Sequence, residues 1–166
     1  MLHSPLPPSA QRVADAAAAL GLTIDIVTFA QSTRTAEDAA AAVGCEVGQI
    51  VKSLVFTVGG EAVMALVSGK NQLDTRKLAA LFGVGRKQVE RADADTVRAA
   101  TGYAIGGVPP FGHATAMPVL VDQDLTTYDI IWAAAGTPNT VFAVVPADLV
   151  RASGGTPADL RAESHP

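Results

Sequence analysis

The chain has 166 residues, 17% of them charged against 49% hydrophobic, and a formal net charge of -4, which describes one compact domain with enough apolar residues for its own core. Twelve Lys and Arg against sixteen Asp and Glu leave no basic excess for gripping a polyanion along its length, and 5% aromatics leave few stacking platforms for single-stranded nucleic acid. A DNA-coating protein and a polybasic membrane binder are therefore excluded, and any RNA contact has to be local.

The first residues, Met1-Leu2-His3-Ser4-Pro5-Leu6-Pro7-Pro8, have no basic stretch leading into an apolar run, and no segment reaches the roughly 18 apolar residues of a membrane span. They read as a stiff, disordered lead-in over 1–8 of a cytoplasmic protein with no membrane partner. Ser9 is placed to cap a first helix whose Val13, Ala16, Ala17 and Leu20 share one stripe and which Gly21 stops. Alternation over 23–28 predicts a strand. Thr35, followed by Glu37 and Asp38, caps a second helix running to Gly44.

Residues 51–58 are rich in β-branched and large apolar side chains, and Gly59-Gly60 is a two-residue turn leading into a partner strand over 62–67. Asp74 starts a helix with Leu78, Leu81 and Phe82 directed inward and Gly83 as its stop; 93–101 repeats the pattern up to Gly102. The stretch 103–113 is too dense in Gly and Pro for a regular element and reads as a shaped loop. Strands are expected over 118–121, 130–134 and 141–145, then a helix beginning at Pro146. The tail from 156 to 166 is expected to fray, which leaves one domain over 9–155. Hairpins with helices between them, and no Walker loop or Gly-x-Gly-x-x-Gly after a strand, indicate an α+β domain on a mixed, mostly antiparallel sheet.

Lys52 stands out because an extended 50–58 puts it on a face with Ile50, Leu54 and Phe56. Two explanations fit the pattern equally: a side chain that snorkels to water, or an ammonium at a pocket mouth that holds a phosphate or polarises an ester carbonyl. In Gly106-Gly107-Val108-Pro109-Pro110-Phe111-Gly112, glycines let backbone approach a ligand and prolines preset its shape, although an ordinary tight connection uses the same residues. His113 is a candidate base or loop hydrogen-bond partner. Ser68 and Gly69, and Asn139 in 136–139, could contribute polar contacts or simply shape loops. Cys45 is the only cysteine, so no disulfide forms within the chain, and it lacks a basic neighbour that would make it a nucleophile. No metal-ligating cluster, nucleophile elbow or carboxylate pair is present, so neither a metal nor any other cofactor is expected.

Four stretches, Thr35-Ala36-Glu37-Asp38-Ala39-Ala40, Gln49-Ile50-Val51-Lys52-Ser53-Leu54, 106–112 and Val145-Pro146-Ala147-Asp148-Leu149, stand in the order and spacing of one family. The chain resembles the YbaK/EbsC aminoacyl-tRNA deacylases, related to the editing domain inserted in bacterial prolyl-tRNA synthetases. The resemblance implies a curved six- or seven-stranded sheet closing around a pocket with helices outside. It also implies a stand-alone enzyme that hydrolyses the ester of mischarged tRNA, typically tRNA for proline carrying a small amino acid, with the substrate's own ribose hydroxyl assisting.

By that resemblance Lys52, Gly106 and Gly107 are the catalytic positions. Thr33, Arg34, Ser53, Ser68, Gly69, Val108, Pro109, Pro110, His113 and Asn139 are the substrate-binding candidates. The partner is the aminoacylated 3' end of tRNA, with an aminoacyl-tRNA synthetase as a further candidate. Val141 stands where the cysteine-specific members carry aspartate, and Ser53 where the alanine-specific branch carries asparagine, so both departures leave the amino acid open. A non-catalytic module binding an aminoacyl or small acidic ligand in the same pocket is the alternative, and a thiol enzyme using Cys45 a third reading.

Overall fold

A computed structural model describes residues 5–30 and 35–163. Helix α1 (Pro8–Ala19) opens on its proline, not on a Ser9 cap, because a fixed φ and a missing N–H suit the first helical position. It buries Ala10, Val13 and Ala17 and leaves Leu20 outside. After strand β1 (Ile26–Thr28), Thr35 Oγ1 accepts the Asp38 amide at 3.0 Å and starts α2 (Ala36–Val43) as expected. Strands β2 (Val51–Val58) and β3 (Glu61–Ser68) form a hairpin in which Gly59 and Gly60 have φ of 57° and 86°. Positive φ at both central residues gives the mirror-image turn whose twist matches paired strands, and glycine reaches it without steric cost.

Asp74 accepts the amides of Arg76 and Lys77 and begins α3 (Thr75–Leu81), with Leu78 buried but Leu81 turned outward at 51% exposure. A short strand, β4 (Val89–Arg91), precedes α4 (Ala94–Thr101), whose Asp93 cap accepts the Thr96 amide at 2.8 Å. Then come β5 (Val119–Asp122), β6 (Ile131–Ala134), β7 (Thr140–Val144) and α5 (Pro146–Ser153). The chain continues into β8 (Thr156–Ala158), so the described part of the tail expected to fray, 156–163, is structured. Leu160 is fully buried, and Lys77 ties the segment down through Asp159 at 2.9 Å and Glu163 at 3.1 Å.

The α+β class holds, but the single curved sheet of six or seven strands does not: the described strands form two sheets. One has the order β1-β7-β6 and is antiparallel throughout; the other has the order β4-β2-β3-β5-β8. In the second, β4, β2 and β3 are antiparallel while β5 and β8 add in parallel. β3 lies at its centre with its last six residues buried, which explains the run Val-Met-Ala-Leu-Val with no polar alternation. One face of this sheet packs with α1, α4, α5 and the other sheet around Met64, Leu66 and Phe142; the opposite face packs with α3 around Phe56, Val63 and Leu78. No helix among the described residues is long and apolar enough to cross a membrane.

The pairing of β2 sets up the site. β4 pairs only with 56–58 of β2, so its first half lacks a partner on that side. The two sheets touch just before it, where Ile50 bridges Trp132 of β6.

Candidate functional site

Beside the Ile50–Trp132 bridge lies a cleft of about 440 Å³. Its walls are the first half of β2, the start of α2, Arg91 of β4, the loop at Ile105, Gly106 and Val108, and the strands β6 and β7. Lys52 lies in this cleft, half-buried, and its ammonium donates to the carbonyl of Asn71 in the loop after β3. Burial pushes its pKa below the ordinary lysine value and Arg91 pushes the same way, while Glu37 and Asp122 oppose them. An ammonium with a lowered proton affinity and one carbonyl acceptor keeps donors free for a ligand.

Of the residues singled out in the sequence, Lys52, Ser53, Gly69, Gly106 and Val108 line the cleft together. Ser53 Oγ is buried and has no hydrogen-bond partner in the protein among the described residues. Gly107 sits behind the wall: its amide donates to the Ala104 carbonyl at 3.0 Å, and its own carbonyl accepts the Gly136 amide at 2.9 Å. It therefore anchors the loop. Pro109 and Pro110 are buried behind the same loop.

Ser68, Asn139 and His113 each hydrogen-bond within the fold. Ser68 Oγ donates to the Gly48 carbonyl at 2.6 Å, and Asn139 donates to the Phe29 carbonyl at 2.8 Å. His113 Nε2 lies 2.7 Å from the Pro109 carbonyl, which identifies it as the protonated ring nitrogen of a loop lock. Thr33 and Arg34 lie outside the described residues. Cys45 does not line the cleft, and burial followed by the charge of Glu46 raises its thiol pKa, which keeps the thiolate scarce. Cys45→Ser is therefore expected to leave activity undiminished; a large loss in a folded variant would reinstate the thiol reading.

Burial lowers the His113 pKa below 6.5, opposed by the bond to Pro109. The unfolded chain then takes up a proton that the folded one resists, so this histidine costs stability as pH falls below about 6.5. Thermal melts between pH 7 and 5 should show a shallower decline for His113→Gln than for the native chain; equal slopes would contradict the assignment.

Glu37, Ile105, Arg91, Trp132 and Thr137 line the cleft without having been singled out. Glu37 read only as a first-turn acid favouring its helix. Arg91 sits on a three-residue strand too short to leave an alternating pattern. Trp132, as the only tryptophan, was the one legible signal, since an amphipathic ring is common at binding surfaces.

Residues 30–152 match the family model for the aminoacyl-tRNA editing domain. The chain is 32% identical over 126 residues to the uncharacterized protein YwhH of Bacillus subtilis (strain 168), covering 75% of this chain and 78% of that one. It is 29% identical over 97 residues to the proline--tRNA ligase of Thermoanaerobacter sp. (strain X514), a match that covers 58% of this chain but only 17% of the ligase. Among solved structures, a proposed trans-editing enzyme for prolyl tRNA synthetase superimposes with a TM-score of 0.90 at 47% identity, covering 96% of this chain and all of the other.

Proposed function

Since the chain belongs to the aminoacyl-tRNA editing domain family, we propose that it is a trans-editing deacylase that hydrolyses the ester of tRNA for proline carrying a small amino acid. The observation that carries this reading is the meeting of Lys52, Gly106 and Val108 in one cleft. An aminoacyl ester is already activated, and the terminal ribose supplies a hydroxyl beside it. The protein has then to align water with the ester and to offset developing negative charge.

In this mechanism Lys52 takes the terminal phosphate or the ester oxygens, and Arg91 adds a second cation on the same side. The loop through Gly106 and Val108 holds the aminoacyl end. Glu37 offers a carboxylate to the substrate's α-ammonium. Val108, Val141, Ala133 and Ala134 make an apolar wall suited to a short side chain, although one methylene is worth only about 1–3 kcal/mol of discrimination. Such an enzyme works where charged tRNA is, in the cytoplasm, with a synthetase as a candidate partner for delivery.

With a net charge of -4, few cations meet RNA phosphates, and each neutralised phosphate of a single strand contributes roughly 0.7 to the salt slope. Binding should be modest with a shallow slope. The test is release of amino acid from tRNAs for proline charged with alanine, serine, cysteine, threonine and 2-aminobutyrate. Turnover of at least one supports the deacylase; binding without turnover on all of them favours the non-catalytic module.

A further inference from the structure

We infer that Asn71 and Asp122 are positioning residues that hold the Lys52 ammonium in the cleft through the backbone of the loop after β3. Lys52 donates to the Asn71 carbonyl, so the place of that carbonyl sets the place of the ammonium. The carbonyl is fixed from behind. Asn71 is buried, and its side-chain amide donates to Asp122 Oδ2 at 2.8 Å and to Asp124 Oδ2 at 2.8 Å, so both of its N–H groups are used. Asp122 Oδ2 also accepts the Ser68 amide at 3.0 Å, where the loop leaves β3, and Oδ1 accepts the Asp124 amide at 3.0 Å.

Asp122 is 1% exposed. A carboxylate this deeply buried is tolerated only when its lone pairs are occupied, and three donors occupy them here. The loop is gripped on its other side as well: the Gln72 carbonyl accepts the Ala162 amide at 2.8 Å, and the Asp74 amide donates to the Leu160 carbonyl at 2.8 Å. Arg161 reaches Asp124 at 3.5 Å. Asn71 is therefore pinned by β5 from below and by the C-terminal segment from the side, and Lys52 inherits its position from both.

The inference rests on the proposed role of Lys52 in ester hydrolysis for its activity readout, and a second readout is independent of that role. Asn71→Ala keeps the backbone carbonyl but removes both tethers. Ester release should fall on the order of tenfold to a hundredfold, as expected when a reacting group is misplaced by about 1 Å. In a Lys52→Ala background the same change should cost less than about twofold, because a residue acting through Lys52 has nothing left to position. Losses that multiply in the double variant would overturn the inference.

If Asn71→Ala fails to fold, Asp124→Ala, which removes one acceptor at a half-buried position, enters the same cycle with a smaller expected loss. In the native chain with nitrogen-15 lysine, the Lys52 ammonium should exchange its protons more slowly than exposed lysines such as Lys87, and the tether variant should lose that protection. Unchanged protection would refute positioning even if the enzyme is active. Lost protection would uphold it even if no ester is hydrolysed, in which case only the deacylase reading fails.

Discussion

Lys52→Ala is expected to lower ester release from mischarged tRNA by about two to three orders of magnitude, the scale seen when one preorganised donor is removed from a hydrolytic site. The fold should survive. The backbone of Lys52 pairs with Val67 whatever its side chain. Thermal melting of the variant should therefore stay close to the native value while single-turnover hydrolysis collapses. Lys52→Arg should not restore the rate, because a planar fork of five donors does not fit a position set by one carbonyl. Because burial lowers the Lys52 pKa, its protonated fraction, and with it the enzymatic rate, should fall at a pH below the ordinary lysine value of 10.5. Native turnover in a folded Lys52→Ala variant would remove Lys52 from the mechanism.

The second large effect is expected at Gly107. A Cβ there would lie 2.8 Å from the carbonyl carbon and oxygen of Gly136 and 2.9 Å from Thr137 Cα. All three are backbone atoms, so no side chain can swing away, and the loop at 103–108 has to separate from the turn at 136–139. The bond from the Gly136 amide to the Gly107 carbonyl lengthens or breaks. Both segments line the cleft, through Gly106 and Val108 on one and Thr137 and Pro138 on the other. Gly107→Ala should cost about 1–3 kcal/mol of stability, the usual range for overpacking, and lower turnover by about a hundredfold through misplacement of the wall. Gly85→Ala is the matched control: its Cβ meets nothing within 4 Å and its φ is −73°. Native melting and rate in Gly107→Ala would show that the close approach of the two loops does not matter.

The caps at Thr35, Asp74 and Asp93 and the Gly59-Gly60 hairpin were legible because each depends on a few neighbouring residues. Lys52 was legible as an anomaly, a charge on an apolar strand, and Gly106 and Val108 as part of a Gly-Pro loop; the cleft contains all three. The make-up of the second sheet was not legible, since β5 adds in parallel to β3, and β8 to β5, from far along the chain. Nor was β4, where Val89 is the one buried residue of three. The tail looked frayed because Thr-Pro-Ala-Asp has no periodicity; what orders 156–163 is burial of Leu160 and the ion pairs of Lys77, both tertiary. Ser68, Asn139 and His113 were singled out as polar residues in turns. Whether such a residue faces a ligand or bonds its own fold is decided by distant carbonyls, those of Gly48 and Phe29 for the first two, which no local pattern encodes.

The central claim is that the cleft aligns a substrate supplying its own assisting hydroxyl. Its most direct measurement is the single-turnover rate of amino-acid release from one mischarged tRNA for proline, with the terminal ribose intact and with the hydroxyl beside the ester replaced by hydrogen. Binding is followed in parallel through the fluorescence of Trp132 in the cleft wall. The expected result is retained binding with the enzymatic rate lost on the deoxy substrate. An unchanged rate would contradict it, and would mean that a protein side chain provides the assistance instead.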